Sequence, residues 1–496
     1  MTIPSHTPAT RAIIVAIASG IVAAILGWQI AEENYILPAL MSVAVLALVL
    51  GALGSGPPWA VFLGALLLGY MVGNRGFAQV MPLPGIPLLP AEIFLVAGVS
   101  WLFWQGVRSG LLPLQRDALN VGVLLWFVIG SSRISIDVRV HGFLALRDFA
   151  TVYYAAFFFI AQRLATHTKH RKTVVWFLVA SSILQPPIYL LTEAFPAFFF
   201  ETLVFRGAPL VYFKGDLALT FTAVSSMLLA LAGPRRWCRW SWPVASIEML
   251  AVIAGENRAS MLAALSAMIW LAFSCARRVA AIQLGSLVAA FVVVLGLSLV
   301  TGNPWAEKRI ADATERLVSI GDFAGDGSYR SAESNIKGDN NRFRSLWWRE
   351  VVGETTREAP WFGLGFGHDL AREFLRVFSP GAGEDFSARS PHSIVITVFG
   401  RMGLAGLLPF LLICAGLTIR LARSLQADKA DWTRLGLWLT AWIILVSSLF
   451  GVVLEGPMGA ALFWSVAGLA NGWPISTEVI PELPAPQKNP RPPPAA

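Results

Sequence analysis

Charged residues are scarce in this chain, at 14% of 496 residues, where a soluble domain carries about 25%. With 56% hydrophobic residues and a mean hydropathy of +0.63, it has too little polar surface to enclose a water-soluble core. Cysteine is scarcer still. Cys238, Cys275 and Cys414 stand far apart, which excludes a disulfide framework and a cysteine-built metal site. HExxH, CxxC, a Walker loop and GxSxG are all missing. With them go the common signatures of zinc hydrolases, thiol redox proteins, P-loop NTPases and α/β-hydrolases. No internal repeat suggests the paired halves of a transporter. The first outer loops lack paired acidic residues at metal-ligand spacing, so the chemistry is expected to use neither metal nor other cofactor.

What the chain has is a succession of apolar runs of about twenty residues, the length that crosses a hydrocarbon core of about 30 Å as a helix. Backbone groups in lipid must bond among themselves, and membrane strands would be shorter and would alternate. The expected fold is all-α, a polytopic transmembrane bundle of twelve to fourteen spans. The candidates are 11–27, 36–54, 58–74, 90–106, 119–132, 146–162, 173–192, 211–232, 242–255, 259–275, 280–300, 391–419, 434–453 and 456–472. The first follows Arg11 with no small-x-small cleavage site and reads as an uncleaved anchor.

The net charge of +8 sits in short clusters between these runs. Arg108 and Arg116 share one connection, Arg163, Lys169, Arg171 and Lys172 another. Arg235, Arg236 and Arg239 mark a third, Arg277 and Arg278 a fourth, and Arg420, Arg423, Lys429 and Arg434 a fifth. Strict alternation puts all five on the side of Arg11 and the C-terminal tail, which is then the cytoplasm. Nucleic acid is therefore not an expected partner. The layout is about eleven spans in 1–300, a large outer loop in 301–390, about three spans in 391–472, and a Pro-rich cytoplasmic tail in 473–496. In a bacterium the loop is periplasmic. It holds 12 Lys and Arg against 14 Asp and Glu, a net charge near −2, so anion binding there must rest on particular arginines. Segments 342–357 and 368–378 are amphipathic, with Trp347, Trp348, Val351 and Val352 in the first and Leu370, Phe374, Leu375 and Phe378 in the second. Helices lying on the membrane surface and capping the bundle are expected.

The ionisable residues at outer span ends are the informative ones. Arg258 opens the span 259–275 in GENRASMLAAL. It is either a fixed cation facing an anionic substrate or an interfacial arginine snorkelling outward. Arg206, in FRGAPLVYFKGD, shares its loop with Lys214 and Asp216, whereas Arg147 is followed by Asp148, which suggests a local pair. His392, in SPHSIVITVFG, lies where the long loop re-enters the bilayer. It is either a structural hydrogen-bonder or a general base. GLGFG at 363–367 follows no strand and reads as a turn that lets backbone approach a helix end.

Three segments together resemble the O-antigen ligase and polymerase family of bacterial membrane glycosyltransferases. NRASMLAALSA at 257–267 is similar to the family's arginine, small residue and apolar span. RSLWWREVVGETTREAPWFGLGFG at 344–367 resembles its arginine with a tryptophan four residues on, then a proline and Gly-x-Gly. PHSIVITVFGRMGLAGLLPFLL at 391–412 resembles Pro-His-Asn, an apolar stretch and Gly-x-x-Gly-leucine. The proline after the tryptophan comes one residue late, and Ser393 stands where the family usually has asparagine. Ser393 keeps a hydrogen-bonding group at shorter reach.

The resemblance implies a GT-C-like bundle in the bacterial inner membrane, among membrane lipids, with both termini cytoplasmic and the active site periplasmic. It implies an undecaprenyl-diphosphate-linked glycan as donor and a saccharide acceptor, either lipid A–core or a lipid-linked glycan. Arg258 and Arg344 would bind the diphosphate, with Arg342 as an alternative to Arg344, and His392 would assist the acceptor or the leaving group. Arg206, Arg401 and Ser393 are further substrate-binding candidates. Transfer would be metal-independent and inverting. The competing expectation is a polysaccharide or lipid-linked glycan flippase, which calls for charges near span midpoints. Glu248 and Arg401 are the main such charges. Arg401, about 14 Å into its span at helical rise, would line a lipid-access cleft or pair with a carboxylate such as Glu455. A non-catalytic scaffold would leave the arginines and histidine unexplained.

Overall fold

A computed structural model describes residues 57–82, 88–109, 114–232, 241–254, 257–274, 277–301, 332–378, 389–426 and 431–473, with Glu315 and Val318. The candidate spans 11–27 and 36–54, Cys238, Cys275 and all but the first residue of the tail 473–496 lie outside these residues. The described chain is a helical bundle. In order it runs α1 (Pro57–Ala78), α2 (Pro90–Ser109) and α3 (Ala118–His141), then α4 (Phe143–Ala165) and α5 (Thr168–Ala194). A two-stranded hairpin follows, β1 (Val204–Phe205) and β2 (Ala208–Pro209). Next come α6 (Gly215–Ala232), α7 (Ser241–Ala254), α8 (Arg258–Ala272) and α9 (Arg277–Thr301). Then come α10 (Ala332–Glu358) and α11 (Arg372–Phe378), and the chain continues through α12 (Ile394–Gln426), α13 (Trp432–Ser448) and α14 (Pro457–Gly472).

Among the described residues, α1 to α5 and α12 are long and apolar enough to cross a membrane, while α6, α7 and α8 are apolar but shorter. In α3 and α5 only 28% of the apolar window is buried. Large apolar side chains such as Phe103, Val128, Trp176 and Phe273 lie exposed on the bundle, the mark of a surface made for lipid rather than water. At one end, a knot of buried amides joins α3, α4 and α14. Asn120 and Gln162 exchange hydrogen bonds at 3.0 and 2.9 Å, and Asn471 donates to Gln162 at 2.8 Å.

At the other end of α3 the bundle depends on a repaired break. Gly403 has φ 60° inside α12, which strands the backbone groups on either side. The segment between α10 and α11 supplies their partners. Leu364 N donates to Gly400 O at 2.7 Å and Gly365 N to Arg401 O at 3.2 Å, while Pro360 O and Trp361 O each accept at 2.9 Å from Leu404 N and Ala405 N. Gly363, with φ 73°, lies so close to the Arg401 backbone that a Cβ there would overlap it. GLGFG is thus the close-approach turn expected of it.

Two aspartates hold the end of this segment. Phe366 N donates to Asp137 Oδ2 at 2.7 Å and Gly367 N to Asp148 Oδ2 at 3.0 Å. Arg389 Nη2 donates to Gly367 O at 2.6 Å. Asp148 is also the ion-pair partner of buried Arg401. The expected local pair of Arg147 with Asp148 is present at 3.9 Å, and it is loose because Asp148 turns inward to Arg401. Arg401 pairs with a carboxylate as expected, but that carboxylate is not Glu455. Glu455 instead accepts from Ser390 Oγ at 2.6 Å and Thr397 Oγ1 at 2.9 Å. Burial pushes the Glu455 carboxyl above its ordinary range, against these bonds and the Arg401 charge.

Removing Asp148 leaves Arg401 buried without its counter-charge and Gly367 N without its acceptor. Asp148→Ala is expected to destabilise the protein by about 3–5 kcal/mol, read from unfolding of the detergent-solubilised protein. An unchanged midpoint would mean that the pair carries no weight.

Candidate active site

A cleft of about 920 Å³ opens between α5, α6, α7, α8, α10 and the segments 391–393 and 449–453. Each helix presents one face. Asn341, Arg344, Ser345 and Trp348 of α10 line it at i, i+3, i+4 and i+7. Trp347 and Val351, on the flank of that stripe, are buried with Leu370, Ala371 and Phe374. That apolar cluster fixes the rotation of α10 and so aims Arg344 inward.

Arg258 enters from α8. Asn257 caps the helix by accepting from Ser260 N at 3.0 Å, which makes Arg258 its first residue, at the positive end of the helix dipole. Thr220 Oγ1 lies 2.9 Å from Ser260 Oγ and 2.8 Å from Ser447 Oγ. These hydroxyls tie α6, α8 and α13 together just beneath the cleft. Arg258 Nη2 donates to Asn341 Oδ1 at 2.8 Å and Arg344 Nη1 to Phe450 O at 3.1 Å. Burial lowers the Arg344 pKa from its ordinary value, and Asp216 acts the other way. The guanidinium still keeps its charge.

His392 enters from the turn before α12. Its φ of 56° is left-handed, a conformation that costs a non-glycine residue about 1–2 kcal/mol. Neighbours hold it there. Trp348 Nε1 donates to Pro391 O at 2.6 Å, and the Trp347 ring meets the imidazole edge-on at 6.2 Å. Trp347 is in turn fixed by a 2.8 Å bond to Leu370 O. Burial, and then the charges of Arg344 and Lys214, push the His392 pKa down to about 4 against the pull of Asp216. The imidazole is therefore neutral at pH 7 and able to accept a proton.

The structure brings Arg258, Arg344 and His392 together in one cleft. It does not bring the other candidates there. Arg342 is exposed, two residues from Arg344 and so on another face of α10. Arg206 sits at the hairpin turn, where its guanidinium donates to Met81 O and Pro82 O at 3.3 and 3.0 Å. Arg401 is committed to Asp148. Ser393 is buried, and its carbonyl accepts from Thr397 N at 2.9 Å. Sequence reasoning missed the cleft-lining Asp216, 3.3 Å from Lys214, and Asn341. The helical spacing of Asn341 from Arg344 was the available signal.

A bundle with lipid-type outer surfaces and a cationic cleft at one end defines a polytopic membrane protein able to hold an anionic group. Residues 243–411 match the profile of a family described as O-antigen ligase. The match takes in Arg258, Arg344 and His392, and supports assigning the chain to the O-antigen ligase and polymerase family, at family level a membrane glycosyltransferase. No curated protein matches the chain.

Because folding lowers the His392 pKa from 6.5 to about 4, the unfolded chain takes up this proton first as pH falls. The contribution is lost between pH 6.5 and 4. His392→Gln is expected to flatten the fall in unfolding midpoint over that window. Parallel curves for both proteins would place the His392 titration elsewhere.

Proposed function

We propose that this protein transfers a glycan from an undecaprenyl-diphosphate donor to a saccharide acceptor at the periplasmic face of the bacterial inner membrane. The termini are then cytoplasmic and 301–390 is the outer, lid-bearing region. The observation that carries this reading is the convergence of Arg258, Arg344 and His392, from three separate segments, on one cleft.

The chemistry follows from the groups present. A lipid diphosphate leaves readily once its negative charge is stabilised. Phosphate oxygens would replace the Asn341 side chain and the Phe450 carbonyl as partners of the two guanidinium groups, which offer fixed charge and bidentate donors. Held in place beforehand, these cations would stabilise the charge that grows as the anomeric C–O bond breaks. The acceptor hydroxyl attacks the anomeric carbon and passes its proton to neutral His392, while the bond's electron pair departs with the diphosphate. Direct displacement inverts that carbon. Arrival of the diphosphate also offsets the charges of Arg344 and Lys214, which makes the imidazole a better base when substrate is bound.

Arg258→Ala, Arg344→Ala and His392→Ala are each expected to cut transfer at least about 100-fold, with lysine at either arginine position restoring only part. Surface glycan profiles of complemented deletion strains measure this. Loss of all attached polymer with lipid-linked chains accumulating marks a ligase, and single surface repeat units mark a polymerase. Units trapped on the cytoplasmic leaflet would overturn the proposal in favour of a flippase, as would full activity in both Arg258→Ala and His392→Ala.

A further inference from the structure

The cleft has a lower half that the catalytic residues do not reach. Pro186 and Leu190 of α5, Leu219 of α6, Ile247 of α7 and Leu262 of α8 make it apolar. Leu190 is 66% and Ile247 65% exposed, so this half is open sideways, between α5 and α7, where a bilayer's acyl chains would lie. Pro186 and Pro187 lie within α5 at this wall, and a proline within a helix removes a backbone bond. One acidic residue lines this half. Glu248 lies six residues before the last residue of α7, about 9 Å along the helix axis. It is 2% exposed, and neither carboxyl oxygen has a hydrogen-bond partner among the described residues. Thr222, which also lines the cleft, is already bonded to Gln185 and Ala218 O.

A buried carboxyl group without a partner lowers stability, because the bonds it made with water are not replaced. Facing a cleft, it signals that the partner belongs to a ligand. The position limits which ligand. Above it stand two arginines suited to phosphate, and around it a laterally open apolar wall suited to a hydrocarbon chain. The group that lies between a phosphate-binding end and a hydrocarbon-binding end is the phosphate ester at the head of a lipid. An ionised carboxylate would repel that phosphate, whereas the neutral acid has an O–H to donate.

We propose that Glu248, as a neutral acid, donates a hydrogen bond to the lipid-proximal phosphate of a lipid diphosphate whose chain enters between α5 and α7. This rests on the proposed transferase reading, and adds a lipid-end subsite to it. Binding of undecaprenyl diphosphate to the full-length protein in nanodiscs tests it. Glu248→Leu removes the donor and is expected to weaken binding about tenfold without lowering the unfolding midpoint, since it also removes an unpartnered polar group. Glu248→Gln keeps a donor and is expected to restore most of that loss.

Infrared difference spectra give a second readout that does not depend on the leucine variant. A carboxylic-acid carbonyl band should shift when the lipid diphosphate binds to the wild type, and that signal should vanish in Glu248→Gln. If wild type binds and Arg258→Ala does not, while Glu248→Leu binds like wild type, the Glu248 subsite is wrong and the transferase reading stands. If wild type binds no lipid diphosphate, the transferase reading itself fails.

Discussion

A helix in lipid has no solvent to take up stranded backbone groups, and α12 strands several at Gly403. The insertion of Pro360–Gly365 into that gap is the constraint on which the cleft depends. It bonds to both halves of the interrupted helix, so the segment after α10 cannot shift without exposing carbonyls of Gly400 and Arg401 or amides of Leu404 and Ala405. Asp137 and Asp148 then fix the far end of the segment through Phe366 N and Gly367 N. With its C-terminal end anchored and its apolar face packed under α11, α10 has one orientation, and Arg344 and Trp348 face the cleft.

The three candidate site groups share a common physical setting. Each is held by a structure that lowers the number of arrangements it can adopt. An N-cap and a hydroxyl cluster seat Arg258, a carbonyl acceptor orients Arg344, and two tryptophans maintain the left-handed backbone at His392. The two arginines' hydrogen bonds to the Asn341 side chain and the Phe450 carbonyl are to neutral groups, which a phosphate could displace. Arg401 is the contrast: its buried counter-charge makes it part of the scaffold.

Much of the fold was legible because lipid demands long apolar runs. The expected span 90–106 appears as Pro90–Ser109, and 456–472 as Pro457–Gly472. The span 119–132 was too short by nine residues, since the helix continues to His141. The added turns carry Arg133, Asp137 and Arg139, of which Arg133 and Asp137 pair at i, i+4 and 3.0 Å, which lets charge continue along a helix face. For the candidate site, the family resemblance singled out Arg258, Arg344 and His392, and the structure brings these three into one cleft. The roles of Arg401 and Asp148 were not legible, since the partners are 253 residues apart and nothing local marks them. Nor did the sequence separate Arg342 from Arg344. That choice is made by the packing of Trp347 and Val351, which sets which face of α10 turns inward.

The long-range bonds of the inserted segment also set the timing of assembly during synthesis. Asp137 and Asp148 emerge from the ribosome with their backbone partners still 229 and 219 residues away. Arg258 is made early, yet the wall opposite it includes Ser447, Phe450 and Val453. A growing chain therefore carries one cation of the cleft in the membrane long before there is a cleft. The candidate cleft is completed only at a late stage, when residues 447–453 are in place and the segment after α10 docks. An incomplete chain cannot form the whole cleft while it is still being made.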